Sequence, residues 1–239
     1  MPRVVIVGFG GRMGTEIARL LTPKNGIELV GGVEVDSHPL IGKPAGAGVV
    51  VSCLKDVIDR TDVVVDFSVP EAVSKNVILC AERGKPYITG VTGFSNKEIE
   101  ELQQAAKRIA VVYAPNFSVG VAVLTGIAQK TAQLLGEDYD IHLIETHHRK
   151  KRDAPSGTAK MLVARIKEKI GEREIKVFSI RTGDVIGEHR LIFGGTGERL
   201  ELVHKAESRA AFAFGVIRAI HWIFAQPAGF YSMADILQF

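Results

Sequence analysis

Residues 3–14 read RVVIVGFGGRMG, and this stretch decides the fold. Arg3 to Val7 is a run of β-branched residues without polar alternation, as expected of a strand buried on both faces. Gly8, Gly10, Gly11 and Gly14 follow, and Met13 to Leu21 carries apolar residues at helical spacing. A strand–glycine turn–helix junction lets backbone N–H groups approach a pyrophosphate, while the helix N-terminus adds partial positive charge. Side chains would obstruct that approach. The strict G-x-G-x-x-G spacing is not met, because position 13 is Met and the last glycine stands at 14. A tight structural turn would also explain glycines here. Context favours a dinucleotide: Glu34 ends the second strand run, 20 residues after Gly14, where a carboxylate accepts hydrogen bonds from an adenosine ribose. Val35 stands where an arginine would help to hold a 2′-phosphate, and Glu34 would repel that phosphate. NADH is therefore expected to bind at least as well as NADPH, with Arg12 or Lys43 able to restore NADPH binding.

Outward from this junction, short apolar runs alternate with helical patterns. Ile27 to Val33, Asp62 to Phe67, Tyr87 to Thr89 and Ile109 to Tyr113 read as strands. Pro70 to Arg83, with proline in its first turn, and Asn96 to Lys107 read as helices. Such alternation predicts right-handed crossovers and a parallel sheet covered on both faces. After Phe117 the pattern changes. Val119 to Leu135 is one long apolar helix, Asp140 to Thr146 a strand, and Gly157 to Ile170 a helix. Three strand runs then follow one another, Lys176 to Arg181, Glu188 to Phe193 and Arg199 to Lys205, between glycine-rich turns. Successive strands without helices between them predict an antiparallel or mixed sheet, hence an α+β module. Arg209 to Phe224 returns to helical spacing and is expected to pack back on the first module.

At 239 residues the chain suits one large domain or two small ones, and 46% hydrophobic with 24% charged residues is ordinary for a soluble globular protein. The most apolar late stretch, Ala210 to Ala225, is broken by Arg218 and His221, so no membrane span is expected. The strand run from Arg3 leaves no room for a secretory leader. Cys53 and Cys80 are too few for a disulfide framework and do not make a metal-ligand pair, which fits a reducing cytoplasm. A net charge of +3 does not imply nucleic acid unless the charge is concentrated.

It is concentrated in one place. Residues 145–159 read ETHHRKKRDAPSGTA. The segment leaves a strand, crosses a loop containing Pro155 and enters a helix near Ser156. Two histidines and the cations Arg149, Lys150, Lys151 and Arg152 converge on a helix start where Ser156, Gly157 and Thr158 offer hydroxyls and N–H groups. That combination suits a small carboxylate ligand, and a histidine beside it can donate a proton at neutral pH. A solvated basic loop is the bland alternative. No aromatic residue is interleaved with the basic run, which argues against nucleic acid. Adjacent histidines on an extended chain point to opposite sides, so one metal ion could not easily take both, and no metal is expected.

Residues 145–159 closely resemble the signature loop of the dihydrodipicolinate (4-hydroxy-tetrahydrodipicolinate) reductases, enzymes of diaminopimelate and lysine biosynthesis. Further segments match along the chain: the Gly8 to Gly14 turn, Asp66-Phe67-Ser68, Gly90 to Phe94, Pro115 to Gly120, Arg181-x-Gly183-Asp184, Gly187-Glu188-His189, Gly197 to Leu200, His204-Lys205-Ala206 and Ser208-Arg209. The resemblance implies an α/β fold, with a Rossmann-like parallel-sheet nucleotide domain (1–117 with 210–239) and an inserted α+β domain with a mixed or antiparallel sheet (118–209). The inserted domain would carry substrate contacts and build a homotetramer. Gly8, Phe9, Gly10, Gly11, Arg12, Met13 and Glu34 would bind the dinucleotide. Gly90, Val91 and Thr92, with Ala114, Pro115, Asn116 and Phe117, would lie against its nicotinamide half. His147 would be the proton donor or acceptor, with Lys151 a second donor. His148, Ser156, Gly157 and Thr158 would hold the substrate, a dianionic cyclic imine reduced by NADH or NADPH. Val35, in place of an arginine seen in some members, again leaves NADPH preference in question. Two other readings exist: a different Rossmann amino-acid-pathway dehydrogenase, and a catalytically silent NAD-binding regulator. Neither accounts for the whole loop with its proton-transfer residues.

Overall fold

The computed structural model describes residues 1–238. The chain divides into two compact units, Met1–Phe117 with Phe212–Gln238, and Ser118–Ala211. In the first, β1 (Arg3–Val7) leads through the glycine turn into α1 (Arg12–Leu20) and β2 (Glu28–Val33). A small antiparallel pair, β3 (Pro44–Ala45) and β4 (Gly48–Val51), precedes β5 (Val63–Asp66), α2 (Pro70–Glu82), β6 (Tyr87–Thr89), α3 (Asn96–Ala105) and β7 (Ala110–Tyr113).

The second unit contains α4 (Val119–Leu135), β8 (Asp140–His147), α5 (Gly157–Ile170), β9 (Ile175–Arg181), β10 (Gly187–Gly195) and β11 (Glu198–Ala206). Its four strands lie in the order β11-β10-β8-β9. β10 is antiparallel to both β8 and β11, whereas β9 runs parallel to β8, so the sheet is mixed. Period-two alternation sorts its side chains. Ile141, Leu143, Leu191 and Phe193 are buried in one core with Leu124 and Ala128 of α4 and Leu162 and Ile166 of α5. Phe178, Ile180 and Val203 stand on the opposite face and are exposed. Ser118 caps α4 by accepting from Val121 N–H, and Ser156 caps α5 by accepting from Ala159 N–H.

The chain then returns through α6 (Ala210–Ile223), β12 (Gly229–Tyr231) and α7 (Met233–Leu237). The completed eight-stranded order is β12-β7-β6-β5-β1-β2-β4-β3, parallel except at the β3–β4 pair. Val5, Val7, Val64 and Val111 share a core with Val73, Val77 and Cys80 of α2 and Leu102 of α3. Val4, Ile6, Val63 and Val65 are equally buried, as continuous apolar runs require when both faces of a sheet are covered. Each such side chain contributes about 1.5–3 kcal/mol relative to exposure. Chain reversal occurs about β1, between its neighbours β2 and β5, so the glycine turn stands at the switch point of strand order. Among the described residues no helix is long and apolar enough to cross a membrane.

Candidate active site

β8 continues its alternation beyond the residues covered by α4 and α5. Leu143 faces the core, and Glu145 and His147 project from the same face two and four residues later. The ladder pairs Glu145 with His189 on β10 and with Ser179 on β9, and it pairs His147 with Arg181. Five polar side chains from three strands thus gather where the apolar layer ends. His147 is the last residue of β8, one place beyond the strand predicted from periodicity, and so it belongs to the sheet and not to the loop. A strand position holds its ring more firmly than a loop position would.

Glu145 is the centre of this group and is fully buried. Its Oε1 accepts from Arg181 Nη2 at 2.7 Å and from Ser156 N–H, at the start of α5, at 3.3 Å. Its Oε2 is hydrogen-bonded to His147 Nδ1. Burial pushes the Glu145 carboxyl up, but the bonds from Arg181, Ser179 and His147 prevail and hold it at about 2. Burial lowers the His147 pKa, and this outweighs the upward pull of Glu145. His189 meets the His147 ring edge-on, with centroids 5.3 Å apart, and burial together with His147 lowers it to about 4. Its Nε2 lies 3.4 Å from Ser156 Oγ.

The basic segment emerges beside this cluster. Lys151 N–H donates to the His148 carbonyl, and Lys151 Nζ pairs with Asp153 at 2.9 Å. Arg149, Lys150 and Arg152 are exposed, whereas His148 and Lys151 are half-buried. Arg181 ties the segment down by donating to the Asp153 carbonyl oxygen at 2.6 Å. Gly157 and Thr158 form the first turn of α5, which contains no acidic residue, and its Gly157 N–H faces the Asp153 carboxylate, as suits the positive end of a helix. Ser156 is buried and engaged as the cap. Among the described residues no group of three or more His, Cys, Asp or Glu is arranged to hold a metal ion.

The residues expected to hold a dinucleotide lie in the first unit, at the carboxyl ends of parallel strands. Gly8 to Met13 follow β1, Glu34 follows β2, Gly90 to Thr92 follow β6, and Ala114 to Phe117 follow β7. A Cβ on Gly14 would fall 2.2 Å from the Gly8 carbonyl oxygen, and Gly8 has φ +74°. The turn therefore admits only glycine at these positions. Gly11 begins α1 without a side-chain cap, and no acidic residue occupies the first turn. Glu34 Oε1 accepts from Gly10 N–H at 2.7 Å, which puts a carboxylate beside the turn. Helix-start N–H groups for a pyrophosphate and a carboxylate for ribose hydroxyls fit a dinucleotide. Val91, Ala114 and Phe117 are buried, and the Val91 and Ala114 N–H groups donate to Thr89, so these residues shape this edge from beneath. Buried Asp66 supports this edge by accepting from Tyr87 Oη at 2.6 Å, Asn76 Nδ2 at 2.8 Å and Ser68 N–H at 2.9 Å.

Sequence reasoning quoted Glu145, Arg181 and His189 without giving them a role. The two-residue spacing of Glu145 and His147 on a strand was an available signal. The positions of Arg181 and His189 depend on strand register, which is not written locally.

A Rossmann-like sheet with a glycine turn at its first βα junction, followed by a mixed-sheet unit with a buried carboxylate–histidine pair, is the build of a nicotinamide-dependent oxidoreductase. Family models described as "Dihydrodipicolinate reductase, N-terminus" and "Dihydrodipicolinate reductase, C-terminus" match residues 2–117 and 120–237. The 4-hydroxy-tetrahydrodipicolinate reductase of Syntrophus aciditrophicus is 39% identical, covering 100% of this chain and 99% of the relative. That of Anaeromyxobacter sp. is 43% identical, with 99% and 98% covered. A dipicolinate-bound dihydrodipicolinate reductase from Paenisporosarcina sp. TG-14 superposes with a TM-score of 0.85 at 26% identity, covering 98% of each chain. The chain belongs to the dihydrodipicolinate reductase family.

Proposed function

We propose that this chain reduces 4-hydroxy-tetrahydrodipicolinate, or the dihydrodipicolinate derived from it, to tetrahydrodipicolinate in the diaminopimelate route to lysine. It does so in the cytoplasm, as a homotetramer, with NADH used at least as readily as NADPH. The observation that carries this reading is the buried Glu145–His147 pair, with Lys151 close enough to act on the His147 ring and the start of α5 adjoining. Two carboxylates on a small ring require cationic and N–H partners, which Lys151 and the Gly157–Thr158 backbone supply, with His148 and Ser156 alongside. These partners offset the cost of taking a dianion from water.

When bound, reduced nicotinamide supplies the hydride. Gly8 to Met13 and Glu34 bind the adenosine and pyrophosphate portion, and Gly90 to Thr92 with Ala114 to Phe117 line the nicotinamide portion. Glu34 favours free ribose hydroxyls, and exposed Val35 offers a 2′-phosphate no positive charge. Reduction leaves an electron-rich ring carbon that needs one proton. His147 supplies it, with Lys151 polarising the ring nitrogen or acting as second donor, which is typically worth about 10²–10⁴-fold.

The deciding experiment follows oxidation of each cofactor with substrate freshly generated from its aldolase precursors. Turnover that requires the precursor is expected, with the NADPH Michaelis constant no lower than that for NADH. No precursor-dependent oxidation would defeat the assignment, and a strong NADPH preference would defeat the cofactor reading alone. Pyridine-2,6-dicarboxylate should raise the melting temperature, more so with NADH present.

A further inference from the structure

A fully buried glutamate that is not itself among the expected substrate-holding residues requires a purpose, because burying a carboxylate is costly unless it is paired and hydrogen-bonded. Glu145 is paired with Arg181, and Arg181 is itself held by donating Nη1 to the Ile180 carbonyl and Nη2 to the Asp153 carbonyl. Glu145 also receives Ser156 N–H from the start of α5. Two separate segments, β9 and the start of α5, thus converge on one carboxylate, which in turn holds one imidazole.

The chemistry of that last contact is directional. An ionised carboxylate only accepts hydrogen bonds, so the nitrogen facing it must carry the hydrogen. In neutral His147 this nitrogen is Nδ1, which leaves Nε2 with the free lone pair. The surroundings of Nε2 are also specified. A Cβ on Gly187 of β10 would lie 3.1 Å from His147 Nε2, tighter than ordinary contact, so a glycine there gives this edge of the ring its room. His189 packs against the ring and limits its rotation.

We propose that Glu145 is a positioning residue which fixes His147 in the Nδ1–H tautomer, making Nε2 the atom that takes up and returns the proton, with Arg181 anchoring the carboxylate. This rests on the reading of His147 as the proton donor. The balance is simple. In its imidazolium form His147 carries a proton on Nε2, gives that proton to the reduced ring carbon and becomes neutral, while Glu145 stays a carboxylate throughout. Solvent then returns the proton to Nε2. The groups facing His147 are Glu145 on its own strand, Arg181 on β9, His189 on β10, and Lys151 with Asp153 in the following segment. Of these, Glu145 raises the tendency of the ring to protonate, whereas Lys151 and Arg181 lower it.

Ring-nitrogen NMR of histidine-labelled protein tests the assignment, with the His147 signals identified from their loss in His147→Gln. The wild type above neutral pH should show Nδ1 protonated and Nε2 bare; a bare Nδ1 would overturn the proposal whatever any variant does. In Glu145→Gln the pH at which the ring protonates should fall, and an unchanged or higher value counts against the idea. Kinetically, Glu145→Gln should lower kcat about 10–100-fold, with KM and cofactor Kd little changed. In a His147→Gln background the same substitution should cost nothing further. Losses that multiply would assign Glu145 a role independent of His147 and overturn the proposal. Near-normal turnover in His147→Gln alone would instead remove His147 from the chemistry, a failure of the underlying reading that the tautomer measurement tells apart.

Discussion

His147 and Lys151 reach the same small region from different supports, and their removal should read out differently. His147 is held by the sheet through Glu145, so its ring can be lost without disturbing Lys151 or the start of α5. Lys151 leaves a turn and is tied to Asp153; burial raises the Asp153 pKa, but Lys151 and backbone N–H groups prevail and lower it. His147→Gln is expected to reduce kcat about 10²–10⁴-fold while leaving cofactor affinity unchanged. Lys151→Ala should lower kcat and also raise KM, because a charge that meets the dianion in both ground and transition states acts on both constants. Steady-state kinetics with a separate cofactor titration distinguishes the two, and near-normal turnover in both variants would exclude this loop from the reaction. The identity of both side chains was legible in the ETHHRKKRDAPSGTA stretch. Their environment was not, because burial of His147 and the pairing of Lys151 depend on neighbours remote in sequence.

The strand is the scale at which the candidate site becomes intelligible. β8 alternates throughout, and its inward positions change from Ile141 and Leu143 to Glu145 and His147 as the helices cease to cover it. The apolar runs of both sheets and their helices could be read from periodicity within a few residues. The short elements β3, β4, β12 and α7 could not, since two to five residues hardly establish a period and are formed by pairing or capping against the rest of the unit. The parallel pairing of β9 with β8 was equally hidden, as nothing local distinguishes a parallel from an antiparallel partner. This arrangement has a consequence for stability. His189 titrates near 4 when folded and near 6.5 when unfolded, and burial lowers His147 and His204 in the same direction. Groups with depressed folded pKa values stabilise the fold above the unfolded value, and that stabilisation fades as pH falls through the folded one. The second unit should therefore lose stability between about pH 6.5 and 4, before Glu145, at about 2, begins to protonate. Thermal melts across that range should show a shallower decline for His189→Gln than for the wild type. An equal slope in both proteins would remove His189 as the cause.

At the scale of the whole molecule, the homotetramer proposed above would be built on the face of the mixed sheet that α4 and α5 leave uncovered. Its central row runs Val203, Arg190, Ile144 and Phe178 across the four strands, with Ile180 and Ile192 in the flanking rows. Phe178, Ile180 and Val203 are between 43% and 51% exposed, and they place apolar area at both edges of this face. The charges that β10 and β11 place on this face are paired within it, Arg190 with Glu188 and Glu201, Lys205 with Glu188, and Arg199 with Glu201. A face whose charges are matched internally can meet a second copy of itself without facing like charges across the contact, as a two-fold interface requires. Burying each large apolar side chain contributes about 1.5–3 kcal/mol, so several from each copy can outweigh the cost of association. Sedimentation at micromolar concentration is expected to give a species of four chains. Phe178→Glu combined with Ile180→Glu should reduce it to smaller species, since each new carboxylate would be buried without a partner, while circular dichroism remains unchanged because both positions point out of the fold. A monomeric wild type, or a tetramer that survives both substitutions, would show that this sheet face does not build the assembly.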